Sequence, residues 1–385
     1  MQDKYGSNME LQTKPDFGKT LQRFEAWWHC QIVDRPVVTI RQRQRNGQAV
    51  PRKTHATLRD RWMDMDYAVE TFAASIRDAI FPADSFPLFF PNVGPEICST
   101  VFGCDLEFAE VTSYSKPIAG SCRDILSLKP DLDNPYWNAI RHGTQLSLQA
   151  GAGKWITGLA DLHTNGDLLA SLRDPQNLCL DLADDIDGVR AACDHVTKHY
   201  PLMFDDLWKP IQAAGQPCTT WTPVLHAGRS YVTNCDFICM ISPEMFQHTI
   251  LPALVEEMRF LERNIFHLDG PGALKHLEAL LKVKELNGVQ WIYGASRGPA
   301  AKWIDVYKRI QAAGKCAQIC CQDIPDALAV MENIRPKGAW FDVGGAHTGR
   351  HVEHQDHPPF DPRQAELRLG ARQSDQNDHE AEKEE

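Results

Sequence analysis

The sequence predicts an α/β fold: a (β/α)8 barrel with an N-terminal helical extension and a polar C-terminal tail. Three observations carry this expectation. Short apolar runs alternate with amphipathic helical patterns, as in βα-repeating folds. Eight such runs occur, at residues 37–40, 85–90, 155–159, 219–224, 265–268, 289–293, 316–320 and 339–343. The alternation is most regular from 265 to 343, which favours a barrel over the competing doubly wound sheet.

The elements follow in order. Residues 1–34 read as the extension, with a helix over 21–30 containing Trp27 and Trp28. The barrel spans 35–348. Its first strand runs into Arg41-Gln42-Arg43-Gln44-Arg45, and a helix is expected over 57–79. Asp84 precedes the body of the second strand, between Pro82 and Pro87 in an apolar stretch, where a partly buried, hydrogen-bonded carboxylate is expected, with a turn aspartate as the alternative. The third strand ends in Asp161-Leu162-His163-Thr164-Asn165-Gly166-Asp167, before helices over 167–173 and 187–199. The fourth region carries Trp221 and His226, then Tyr231, Cys235 and Asp236. Ser242-Pro243-Glu244 opens a helix over 242–262 with an N-cap serine and proline at the first helical position. The fifth strand ends in His267-Leu268-Asp269-Gly270-Pro271-Gly272, and helical spacing resumes over 273–283. Trp291 and Tyr293 close the sixth strand, Cys320 and Cys321 the seventh, and Asp342 the eighth. Helices over 299–313 and 324–334 separate these last strands. Residues 349–385 are polar, rich in His and acid, and read as an irregular or disordered tail.

Composition bounds the function. The chain has 385 residues, 43% hydrophobic and 24% charged, as expected of a soluble globular protein with a large core. A net charge of −11 argues against duplex nucleic acid as a partner. The first twenty residues lack the apolar core of a secretion signal, and no run approaches the length of a membrane span. A cytoplasmic location is the simplest expectation. The twelve cysteines are scattered without a CxxC pair, so most are expected to be reduced and buried.

Barrel geometry gathers the carboxyl ends of the strands at one mouth. Residues two apart on a strand point the same way, so His267 and Asp269 project together as an acid/base pair or as two metal ligands. The alternative is that Asp269 caps the following helix. A third ligand would come from afar, with Cys320, Cys321, Cys235 and His163 as candidates. Asp161 and His163 form a second acid/base pair in one loop, with Asn165 or Asp167 available as a helix cap. Trp221, Trp291 and Tyr293 would wall a pocket for an organic ligand, with Asn165 and Asp236 as polar contacts. Arg41 and Arg45 would grip carboxylates, unless the run is a solvated loop.

These residues resemble the uroporphyrinogen decarboxylase superfamily, which also contains corrinoid-linked and cobalamin-dependent methyltransferases. Pro36-Val37-Val38-Thr39-Ile40-Arg41-Gln42-Arg43-Gln44-Arg45 is similar to that family's arginine segment. Ala83-Asp84 is similar to its Ser-Asp, Ile241-Ser242-Pro243-Glu244-Met245-Phe246 to its Ser-Pro-Glu helix, and Phe266-His267-Leu268-Asp269-Gly270 to its His strand end. The resemblance covers about residues 35–345. It implies a (β/α)8 enzyme, methyltransferase-like, acting on a small molecule, with Zn2+ at His267 and a corrinoid carried by a partner protein. A homodimer is compatible with it. Two alternatives remain at this point. One is cofactor-free decarboxylation of a tetrapyrrole or other polycarboxylate, with Asp84 catalytic and Arg41 and Arg45 binding substrate. The other is a non-catalytic small-molecule or corrinoid binding protein. Where the zinc methyltransferases carry His-x-Cys, this chain has Asp269, and residues 339–343 contain no cysteine.

Overall fold

The computed structural model describes residues 9–40 and 52–344. Arg41, Arg45 and the tail lie outside the described residues. The strands are β1 (Val37–Ile40), β2 (Leu88–Phe89), β3 (Leu106–Phe108), β4 (Ser113–Ser115), β5 (Ile156–Thr157), β6 (Ser230–Asn234), β7 (Arg263–Asp269), β8 (Gly288–Ile292), β9 (Cys316–Cys321) and β10 (Ala339–Val343). Six form one parallel sheet in the order β1-β10-β9-β8-β7-β6, β2 pairs with β5 in parallel, and β3 and β4 form a separate antiparallel pair.

The expected closed barrel is therefore realised as an open six-stranded sheet with a separate two-stranded pair. Isolated backbone contacts bridge the gaps, joined at the first by side chains, since Val38 N donates to Asp84 and Ile40 N to Ser85 Oγ. Asp84 N donates to Val38 O at 2.8 Å, and Leu159 N donates to Thr219 O at 2.9 Å. The chain at the gaps explains why no ladder forms. Pro82, Pro87 and Pro91 remove amide donors around β2, and Ala83 adopts a left-handed φ of 53°. The fourth strand also differs from expectation. Residues 219–224 form no strand, and the pairing segment is β6, shortly after them.

The expected N-terminal helix is Phe17–Trp28. Phe17, Leu21, Phe24 and Trp28 recur at helical spacing and are buried with Trp27. This face seals the amino ends of the strands. Trp27 Nε1 donates to Gly338 O at 3.0 Å, and Trp28 Nε1 donates to Leu225 O at 2.8 Å. Each buried aromatic contributes on the order of 2–3 kcal/mol. The helix expected over 57–79 divides at Asp64 into Leu58–Met63 and Met65–Ile76, because Thr57 and Asp64 each cap a helix start. Ser242 caps its helix as expected, accepting from Met245 N. No helix among the described residues is long and apolar enough to cross a membrane.

Strand alternation sorts the sheet into two faces. Val37, Val232, Ile265, Cys316 and Trp340 join the N-terminal helix in one cluster. Their neighbours Phe266, Leu268, Val289, Trp291, Ile319 and Phe341 join the larger core containing the surrounding helices. On the first face, two residues further along each strand, the side chains become polar: Thr39, Asn234, His267, Gln318 and Asp342. This face is apolar and sealed at the amino end, and polar toward the carboxyl end.

Candidate active site

The carboxyl end of β7 presents His267 and Asp269 on the same face, as a spacing of two requires. Asp236, from the turn after β6, joins them. One ligand atom from each of Asp236, His267 and Asp269 lies within 4.8 Å of the other two, and all three side chains are half-buried. His267 Nδ1 donates to Gln290 Oε1 of the adjacent strand, where the two residues are in register. Gln290 in turn donates to Thr222 Oγ1 at 3.3 Å. Holding Nδ1 this way turns Nε2 toward the carboxylates. Asp236 Oδ1 lies 3.9 Å from His267 Nε2, too far for a hydrogen bond. That oxygen is enclosed and has no hydrogen-bond partner, although the side chain as a whole is 41% exposed. Enclosure of that oxygen raises the Asp236 carboxyl above its ordinary value, against the opposing pull of His267. Trp221 packs edge-on against the His267 ring, with centroids 5.4 Å apart.

Asp269 caps no helix, since the next element is a short 3-10 turn at Leu274–His276. The cysteines expected as third ligands are not in the cluster. Cys320 shares the polar face by strand alternation, opposite Asp342 in register. Cys321 points into the helix-side core, where burial pushes its thiol well up.

The Asp161–Asp167 loop is the framework that holds Asp236 in place. Asp167, in the first turn of helix Asn165–Arg173, accepts from the backbone N of Asp236 and of Phe237, both at 3.0 Å. It also accepts from Asn234 Nδ2 at 3.2 Å. His163 stands 2.7 Å from Asp161 and 3.7 Å from Asp167. Burial works against its cation, but the Asp161 carboxylate outweighs burial, helped by Asp167 and Asp236, and raises the imidazole to about 10. His163 is thus part of the charged framework around Asp236, between the carboxylates of Asp161 and Asp167.

Asn165 adopts a left-handed φ of 57° and turns its amide inward. Its Nδ2 donates to Asn234 O at 3.1 Å and to Glu257 Oε1 at 3.1 Å. It is 1% exposed and serves the framework rather than a pocket wall. Glu257 is the deepest acid of this group, and Thr164 Oγ1 donates to it. Burial raises the Glu257 carboxyl to about 8, beyond what Asn165 offsets. The folded chain therefore holds a proton between about 4.5 and about 8 that the unfolded chain releases. Stability falls as pH rises through that window, by up to about 1.4 kcal/mol per pH unit. Glu257→Gln is expected to flatten this slope in urea denaturation followed across pH. An unchanged slope would contradict the assignment.

The remaining expected site residues lie elsewhere. Trp291 is fully buried on the helix side against Trp303, with centroids 5.2 Å apart, and Tyr293 packs against the same core. Both sit on the opposite strand parity from Gln290, so the expected aromatic wall reduces to Trp221. Asp84 is fully buried and accepts from Arg23 Nη1 at 2.8 Å, Arg35 Nη1 at 2.5 Å and Val38 N at 2.9 Å. Arg35 lies just before β1, so Asp84 ties the sealing helix to the amino-end side of the sheet. Sequence reading passed over Gln290 and Glu257. The signals were a polar residue within an apolar strand and an acid on the apolar face of helix Leu251–Phe260.

No family model and no curated protein matches the chain. Among solved structures, a methyltransferase from Methanosarcina mazei matches with a TM-score of 0.56 over 84% of this chain and 92% of that one, at 10% identity. At that identity the likeness is one of fold. The two chains share a mixed α/β architecture built on a central parallel sheet.

Proposed function

We propose that this chain is a methyltransferase-like enzyme and that Asp236, His267 and Asp269 hold a divalent metal ion at its centre. The carrying observation is the enclosed, unbonded Asp236 Oδ1 facing His267 Nε2, with Asp269 completing the set. An unpaired buried carboxylate oxygen is costly, and a cation between these atoms would remove that cost. One imidazole and two carboxylates fit Zn2+ or a harder divalent ion, in a more oxygen-rich site than a thiolate–zinc centre. Such an ion, when bound, supplies Lewis acidity that favours the deprotonated form of a thiol or water.

The chain's own residues supply the positioning. Gln290 fixes the His267 tautomer, Asp167 fixes the Asp236 turn, and Trp221 covers one edge of His267. The polar carboxyl-end face is where a small acceptor would bind. The fold likeness supports methyl transfer as the reaction, and a corrinoid carried by a partner protein is the donor this reading expects. Decarboxylation through Asp84 gains no support, because Arg23, Arg35 and Val38 already occupy that carboxylate.

The test is demethylation of methylcobalamin with a small thiol, followed by the cobalamin absorbance. Turnover that stops with a chelator and returns with Zn2+ is expected. Turnover indifferent to the chelator would contradict the metal-dependent reading. Gln290→Ala is expected to weaken Zn2+ binding about 10–100-fold by freeing the His267 ring, as loss of an outer partner does elsewhere. Competition with a chromophoric chelator measures this, and unchanged affinity would count against the assigned role of Gln290.

A further inference from the structure

Remote from the metal cluster, two thiols face each other where the N-terminal helix meets the sheet. Cys30 Sγ lies 3.4 Å from Cys316 Sγ, although the residues are 286 positions apart. Cys316 opens β9 and is buried, with its Sγ 2.9 Å from Trp27 O. Cys30 is half-buried, so the pair has one solvent-reachable member. Its backbone is left-handed, with φ of 50°, a conformation that favours glycine or asparagine. A cysteine there accepts backbone strain and places its sulfur against Cys316. Gly338 leaves room for it, since a Cβ at that position would stand 3.0 Å from Cys30 Sγ.

We infer that Cys30 and Cys316 form a peroxide-sensitive thiol pair that closes to a disulfide and pins the N-terminal helix to β9. The Cys316 contact, opposed by burial and aided by Arg335, lowers the Cys30 thiol below its ordinary value, which favours the nucleophilic thiolate. The thiolate attacks hydrogen peroxide, whose O–O bond breaks to give a sulfenic acid and, after protonation, water. The Cys316 sulfur then attacks the Cys30 sulfur. The S–O bond breaks, a second water leaves with the Cys316 proton, and the S–S bond forms. Peroxide is the two-electron oxidant, and a small thiol reverses the step.

The experiment treats the full-length protein with stoichiometric hydrogen peroxide and maps peptides without reduction. The expected result is a Cys30–Cys316 cross-linked peptide, loss of two free thiols, and oxidation of Cys30 on the order of tenfold faster than the half-buried Cys179 and Cys239. Cys316→Ser should instead leave a Cys30 sulfenic acid that dimedone traps. Oxidation of Cys30 to sulfinic acid without cross-linking would overturn the inference. So would pairing with another cysteine, or a Cys30 rate no faster than that of Cys179 and Cys239. The wild-type mapping decides the question even if a variant misfolds.

Discussion

His267→Ala is expected to weaken divalent-metal binding at least about 100-fold, more than loss of an outer partner such as Gln290, and to abolish metal-dependent methyl transfer. Removing the imidazole leaves Asp236 and Asp269 as two facing carboxylates with no neutral donor between them. The fold should survive. His267 is half-buried at the polar end of the sheet, and its loss leaves the sealed apolar layer intact. The expected change in unfolding free energy is within about 1 kcal/mol. Isothermal titration with Zn2+ and a denaturation curve on the same preparation separate the two effects. Equal affinity in the variant would contradict the assignment, and a large loss of stability would move His267 into a structural role.

Asp84→Ala is expected to do the reverse. It takes one of two carboxylate partners from the Arg23 guanidinium, only 10% exposed, leaving it with the exposed Asp34, and it removes the acceptor for Val38 N. Loss of one member of a buried ion pair costs about 3–5 kcal/mol, and Arg35, at 34% exposed, can partly rehydrate, which puts the expectation near the lower end. Urea denaturation measures this, and Zn2+ affinity should stay unchanged. A variant with full stability but no turnover would instead return Asp84 to the chemistry, as the decarboxylase reading requires.

Much of the fold was legible because hydrophobic period reports local structure. Seven of the eight expected strands coincide with observed ones, including β7, whose spacing of two correctly brought His267 and Asp269 together. The exception is physical. β6 reads Ser-Tyr-Val-Thr-Asn and is buried throughout, yet its polar residues hide it from a search for apolar runs. Barrel closure was not legible either, because prolines around β2 silence donors that spacing alone cannot see.

The site was legible in part for the same reason. Asp236 was recognised as a polar contact, but its place beside His267 depends on Asp167 gripping the turn, a contact 69 residues apart in sequence. Trp291 failed on parity, since one residue along a strand exchanges the mouth for the helix-side core. The apolar, proline-flanked setting of Asp84 points to a buried, hydrogen-bonded carboxylate, as observed, but only the three-dimensional neighbours Arg23 and Arg35 reveal its ion pairs.

The most direct test of the central claim is equilibrium dialysis of the purified chain against Zn2+, with metal content measured per chain. The same measurement is made on Asp236→Asn, His267→Ala and Asp269→Asn, each shown to be folded by its denaturation curve. The account predicts one tightly held ion in the native chain and loss of that ion in each variant. No ion in the native chain, or one retained in all three variants, would contradict it.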